Sequence, residues 1–268
     1  MRPSPESRVM LEVEGLVLAS PLRDVVRGVS FAVREKSTTC LVGESGSGKT
    51  MICLALMGVL PQGIRMVEGK AFFANRDLFS LPPRQRRNLL GKSLGMVFQD
   101  PLATLNPVVR AGDHLEELLK VHLGLSGKKA AMETLALLEM VGLASVHARA
   151  YPDEISGGER QRLGIALAIA ARPRLLIADE PTTSLDVLVQ AEILTLLRHL
   201  QKEEGMAMLF VTHDFGVVAE MAHEVVVLQD GLVVEAGESN QVLSSPVHPY
   251  TKKLLSSLPG RRLLEWVI

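Results

Sequence analysis

Two cysteines in 268 residues are too few for a disulfide scaffold, and they do not form a C-x-x-C pair. Cys40 falls in a predicted strand and Cys53 in a predicted helix, so both read as buried free thiols in a reducing compartment. Net charge is also nearly absent: 29 Lys and Arg against 30 Asp and Glu leave −1. That balance excludes a nucleic-acid binder relying on a broad basic surface. The richest apolar stretches, 54–60 and 163–170, fall far short of the roughly 18 residues that span a bilayer. Met1 to Arg8 carries proline, serine and charge but no apolar signal core, so the expectation is a soluble protein that reaches a membrane only through a partner. Internal repeats, low-complexity segments and metal-type His/Cys/Asp spacing are missing as well.

The composition that remains, 47% hydrophobic and 22% charged, belongs to a globular chain long enough to bury a core. Val9, Leu11 and Val13 alternate with polar partners, as do Val29, Phe31 and Val33, which predicts half-buried strands. Thr38 to Val42 is a short β-prone run ending in a glycine-rich turn. A helix is expected from about Lys49 to Leu60, stopped by Pro61. Leu115, Leu118, Leu119, Leu135, Leu138, Val141, Leu163 and Leu167 recur at helical spacing, so the stretch from about Pro101 to Ala171 reads as a helical insert. A buried strand at 175–178, a helix from Val187 to about Glu204 and a strand at 208–211 follow. The runs 225–228 and 232–234 flank Gln229-Asp230-Gly231, the signature of a tight hairpin. Met206 and Met208 read as core, and Arg84-Gln85-Arg86-Arg87 as a solvated helix face. Strands alternating with helices imply an α/β fold, with a mainly parallel sheet, an antiparallel β part and a helical insert. The expected division is 1–98 with 172–245 as core, 99–171 as helical subdomain and 246–268 as tail.

Gly43-Glu44-Ser45-Gly46-Ser47-Gly48-Lys49-Thr50 fits G-x-x-x-x-G-K-[ST] between a predicted strand and a predicted helix, the context that pattern requires. Its glycines let several backbone N–H groups turn inward, and the helix N-terminus adds partial positive charge where phosphate arrives. Lys49 is placed to reach the β- and γ-phosphates of ATP, and the Thr50 hydroxyl to ligate Mg²⁺. Asp179-Glu180 follow four apolar residues and so lie at the carboxyl end of a buried strand, where open α/β sheets bind ligands. Asp179 is placed to hold Mg²⁺ and Glu180 to orient the attacking water.

Ile155-Ser156-Gly157-Gly158-Glu159-Arg160-Gln161-Arg162 precedes the apolar helix 163–170, with Ser156 as a good N-cap. In that position it resembles the signature of ABC ATPases, usually L-S-G-G-Q. Gln99 in Val97-Phe98-Gln99-Asp100-Pro101 resembles the Q-loop glutamine, Ser184-Leu185-Asp186 the D-loop, and His213 in Val211-Thr212-His213-Asp214 the switch histidine. The resemblance spans nearly the whole chain and implies an α/β fold class with a P-loop (RecA-like) core and an inserted α-helical subdomain. It implies a head-to-tail dimer with a second ABC ATPase, a related heterodimer partner or a second copy. Each ATP would lie between the phosphate loop of one protomer and Ser156, Gly157 and Gly158 of the other. Asp186 would belong to that nucleotide site, and His213 would contact the γ-phosphate. Gln99 would couple phosphate and Mg²⁺ to the helical insert that touches the membrane subunits.

Gly43 to Thr50, Pro101 to Pro107, Ala178 to Leu185 and the tail His248-Pro249-Tyr250-Thr251-Lys252-Lys253-Leu254-Leu255 resemble the dipeptide/oligopeptide/nickel importers in particular. The implied assembly is two ATPases on the cytoplasmic face of the inner membrane, two membrane-spanning permease subunits and an extracytoplasmic solute-binding protein. An exporter ATPase and a soluble non-transport ABC ATPase are the alternatives; a P-loop kinase or GTPase gives no reason for Ser156 to Gly158 or His213. Three departures stand out. Ile155 and Glu159 replace the commonest Leu and Gln. The adenine-stacking aromatic expected around Ser20 or Pro21 is missing, an affinity contribution of about 1 kcal/mol. The cysteine-bearing C-terminal extension of many peptide-importing members does not follow. With the short segment 20–25 and the stretch Gly58 to Arg65, this resembles the nickel-type branch slightly more than the peptide type.

Overall fold

The computed structural model describes residues 8–183 and 185–256. Ser184, most of the N-terminal stretch Met1 to Arg8 and the end of the tail, 257–268, lie outside the described residues. The chain divides into two compact units: one built from the described residues up to Pro82 and from Gln201 onward, the other from Pro83–Leu200.

The first unit opens with β1 (Val9–Ala19), β2 (Asp24–Arg34), β3 (Thr38–Val42), α1 (Lys49–Met57), β4 (Arg65–Phe73) and β5 (Arg76–Asp77). The second unit carries α2 (Pro83–Leu89), β6 (Leu94–Val97), α3 (Ala111–Leu123), α4 (Lys128–Met140), α5 (Gly157–Ile169) and β7 (Leu175–Asp179); α6 (Val187–Glu203) leads out of it. The chain then returns to the first unit with β8 (Ala207–Thr212), α7 (Phe215–Met221), β9 (Glu224–Gln229), β10 (Leu232–Glu238), α8 (Ser239–Ser244) and α9 (Pro249–Ser256).

In the first unit β3 lies parallel to both β8 and β9, with β10 antiparallel on the outside of β9. Every residue of β3 and β8 is buried, as expected for parallel strands covered on both faces. A separate antiparallel sheet runs β2-β1-β4-β5. The β9–β10 connection is the expected hairpin: Asp230 and Gly231 both have positive φ, 48° and 79°, the requirement of a type I′ turn. In the second unit β6 and β7 form a buried parallel pair, and α3, α4 and α5 pack against one another.

Two details differ from the periodicity reading. Helix α1 ends at Met57, because Gly58 takes the left-handed conformation at φ 73° and its N–H turns back to the Ala55 and Leu54 carbonyls. Pro61 lies beyond that cap. On α4 the inward face is Ala130, Thr134, Leu137 and Leu138, leaving Leu135 exposed. Cys40 and Cys53 are buried and form no disulfide, and burial pushes the Cys40 thiol far up, so it stays protonated. Met206 and Met208 lie in the core, and Arg84, Gln85 and Arg87 are exposed on α2. No helix among the described residues is long and apolar enough to cross a membrane.

Candidate functional site

The segment 43–50 links the end of β3 to the start of α1. Its crest, Glu44, Ser45 and Gly46, is exposed, whereas Gly43, Ser47, Gly48 and Lys49 are buried, with Thr50 between. Glycine is required at its base. A Cβ on Gly43 would meet the Leu228 carbonyl oxygen at 2.2 Å, and Gly48 has φ 103° with the Val25 carbonyl 3.0 Å from its Cβ position. The Lys49 ammonium donates to the Gly43 carbonyl at 2.8 Å and the Glu44 carbonyl at 3.0 Å, with the Ser47 hydroxyl 3.5 Å away. The loop is thus wrapped around a buried cation, with exposed backbone on its crest. That is an anion-binding geometry.

Strand register brings further groups to this loop. Val42 pairs with Thr212 of β8 and with Val227 of β9, so His213, just past the end of β8, and Leu228, still within β9, lie level with Gly43. His213 is exposed at that edge. Asp214 beside it caps α7, its carboxylate accepting from the Gly216 N–H at 2.7 Å.

The acidic element belongs to the second unit. Asp179 is the buried last residue of β7, and Glu180 follows at φ 45°, left-handed for a residue with a side chain. Such a conformation costs about 1–3 kcal/mol and persists where its surroundings hold it. Here Thr183 does so twice: its N–H donates to the Glu180 carbonyl at 3.1 Å and its hydroxyl to Glu180 Oε2 at 2.9 Å. Because Val97 of β6 pairs with Ala178, Gln99 leaves its strand at the same end of the pair as Asp179 and Glu180.

Ser156 caps α5, as its residue type requires. Its hydroxyl accepts from the Glu159 N–H at 3.3 Å, and Glu159 Oε2 accepts from the Ser156 N–H at 2.7 Å, closing a capping box. Gly157 is exposed with nothing near its Cβ position; at Gly158 a Cβ would meet Val189 Cγ1 at 2.7 Å. Val189 lies in the first turn of α6, which Asp186 caps by accepting from the N–H groups of Leu188 and Val189 at 3.1 and 3.0 Å. Gly158 and Asp186 therefore both meet the first turn of α6, one through the Val189 side chain and the other through its N–H.

These sites supply hydroxyl and carboxylate oxygens, in Thr50 and Asp179, of the kind a hard divalent ion prefers. Among the described residues no group of three or more His, Cys, Asp or Glu could hold a metal by itself.

The ABC transporter family profile matches residues 26–183, more than half of the chain. This chain belongs to the ABC transporter family. It is a transport ATPase whose cassette binds nucleotide. A second profile, the C-terminal region of oligopeptide/dipeptide transporters, matches residues 234–262 of the same cassette. The dipeptide transport ATP-binding protein DppD of Escherichia coli (strain K12) is 44% identical over 90% of the chain and 74% of its own length. The oligopeptide transport ATP-binding protein OppD of Salmonella typhimurium (strain LT2) is 44% identical over 94% of the chain and 77% of its own length. Among solved structures, the ATP-binding cassette MJ0796, dimeric in a post-hydrolysis state with ADP and Pi, gives a TM-score of 0.77 at 26% identity, covering 86% of this chain and 99% of that one. The cbiO1 cassette of Clostridium perfringens, part of the ABC transporter complex cbiONQ, gives 0.77 at 25% identity over 97% and 99%. The α/β cassette fold expected from the motifs is the one these structures share.

Two residues given no role by the sequence reading touch the expected site. His147 makes a 3.0 Å contact with Glu159 Oε1, and the Tyr250 hydroxyl accepts from the Glu44 N–H of the loop 43–50. The first explains the departure at the signature's last position: Glu159 closes the cap with one carboxylate oxygen and meets His147 with the other. The Ser156 N–H and hydroxyl, followed by His147, hold the Glu159 carboxyl below its ordinary value. A depressed carboxyl contributes stability above its unfolded pKa and loses it as pH falls through the folded one. Glu159→Ala should therefore cost on the order of 1 kcal/mol at pH 7, the size of a helix cap. The gap between the two proteins in thermal denaturation should close as pH drops below the carboxylate range. A gap that persists into acid would remove the carboxylate from this role.

Proposed function

We propose that this ATPase energises the import of di- or oligopeptides through two permease subunits, from the cytoplasmic face of the inner membrane, with solute delivered by an extracytoplasmic binding protein. The observation that carries it is the 44% identity to dipeptide and oligopeptide transport ATP-binding proteins across nearly the whole chain. The match of residues 234–262 to the transporters' C-terminal region supports the same reading.

ATP would be held by 43–50, the backbone N–H groups and Lys49 neutralising its β- and γ-phosphates. Thr50 and Asp179 would hold Mg²⁺, with Gln99 beside it; the ion supplies charge neutralisation on the phosphates. Glu180 orients and polarises the attacking water, and His213, leaving β8 level with the loop, faces the γ-phosphate. Ser156, Gly157 and Gly158 would serve the ATP of a second cassette, because the capped N-terminus of α5 is exposed at Ser156 and Gly157 and suits an anion from outside the chain. Asp186, tied to Gly158 through Val189, would pass closure of that interface to its own protomer. The helical segment 99–171 carries exposed Leu102, Val108 and Val146, apolar side chains suited to permease contact.

The test is uptake into vesicles holding the two permeases and both ATPases, with the binding protein outside and ATP inside. Radiolabelled dipeptide should accumulate with ATP and not without it. Accumulation of nickel alone would assign the nickel-type branch, and ATP-driven efflux would overturn import.

A further inference from the structure

The peptide group joining Gly43 to Glu44 is held at both ends. Its carbonyl, on Gly43, accepts from the Lys49 ammonium at 2.8 Å; its N–H, on Glu44, donates to the Tyr250 phenol oxygen at 3.1 Å. The chain has only two tyrosines, and this one arrives from α9, 206 residues away in sequence. Its ring is buried, and burial pushes the phenol up, so the group stays neutral and presents its oxygen as an acceptor.

The approach of Tyr250 is itself built. Glu235 on β10 accepts from the Val247 N–H at 2.7 Å through one carboxylate oxygen and from the His248 N–H at 3.0 Å through the other. His248 Nδ1 in turn accepts from the Tyr250 N–H at 3.2 Å. Burial pushes the Glu235 carboxyl up, but the Thr251 hydroxyl beside it and the two N–H groups outweigh burial and hold it below its ordinary value. A charged carboxylate thus anchors the turn that delivers the phenol. All of these groups belong to the first unit.

We propose that Tyr250 is a positioning residue of the phosphate loop. It keeps the Gly43–Glu44 peptide oriented when Lys49 exchanges the Gly43 carbonyl for phosphate oxygens, and so makes the segment 246–256 part of the nucleotide site. Of the two holds on that peptide, the one from Lys49 competes with phosphate and the one from Tyr250 does not. The proposal rests on the assignment of 43–50 as the triphosphate loop.

The experiment compares full-length wild type with Tyr250→Phe, which keeps the ring and removes the acceptor. Titration with MgATP and with MgADP should show about three- to tenfold weaker binding, the weight of one net hydrogen bond. Amide exchange in the peptide covering 43–48 should quicken, and the melting temperature without nucleotide should hold. In the assembled transporter the KM for ATP should rise while kcat stays within about twofold, as expected for a group acting on binding rather than on the chemical step. Glu235→Ala, which keeps the tyrosine but releases the turn that delivers its phenol, should weaken binding in the same direction. Wild-type affinity in Tyr250→Phe would overturn the proposal, as would a lowered melting temperature with unaltered affinity and exchange, which would reduce Tyr250 to packing. Failure of the wild type itself to bind nucleotide would strike the loop assignment instead.

Discussion

Lys49→Ala should weaken MgATP binding by at least about a hundredfold while leaving a folded protein. Charge-assisted hydrogen bonds are worth about 1.5–3 kcal/mol each, so two contacts to phosphate oxygens amount to about 3–6 kcal/mol. The net loss is smaller, because Lys49 already donates to the Gly43 and Glu44 carbonyls and must give those contacts up as phosphate enters. A hundredfold, about 2.7 kcal/mol, is the part that survives this exchange. The fold should tolerate the change. Alanine is the better helix former at the start of α1, and of the two carbonyls it uncovers only that of Gly43 lies at the buried base of the loop, that of Glu44 being on the exposed crest. Equilibrium binding of a fluorescent ATP analogue measures the effect directly. An affinity within a few-fold of wild type would remove the phosphate-loop assignment and, with it, the reading of Tyr250.

Much of this loop was legible because its chemistry is local. Gly43, Gly48 and Lys49 are close in sequence, and the conformations they need are set by residue type. The strands 38–42, 175–179 and 207–212 were legible for a similar reason: buried parallel strands are continuous apolar runs. What escaped depends on distant partners. Residues 65–73 form a strand that is exposed along most of its length, so it shows no alternation, and its pairing with β1 supplies what its own sequence does not. The four-residue strand at 94–97 is too short to show a period. Leucine spacing around 135–141 pointed inward correctly at Leu138 and Val141 but not at Leu135, because Leu135 and Leu137 compete for the inward side and packing chose Leu137. Tyr250 is the extreme case. Its partner is a single backbone N–H on the other side of the sequence, and no spacing rule connects the two.

The same contrast between local and distant determinants makes Glu180→Gln the sharpest probe of turnover. Glutamine keeps the size and shape of the side chain and retains an oxygen that can accept from the Thr183 hydroxyl, now at 2.9 Å from Glu180 Oε2. It also leaves untouched the backbone contact from the Thr183 N–H that supports the left-handed conformation at φ 45°. Only the negative charge and the basic lone pair are lost. ATP affinity should therefore stay within about twofold of wild type, or tighten as repulsion between the carboxylate and the γ-phosphate disappears. Turnover should fall by about 10²–10⁴, the range for removing a positioned general base. Steady-state phosphate release, measured on the assembled transporter beside a nucleotide-binding titration of the same preparation, separates the two quantities. Hydrolysis at the wild-type rate would sink the role assigned to Glu180. Loss of binding in parallel with hydrolysis would instead make Glu180 a group that holds the 180–183 turn, with the water oriented by another residue of the site.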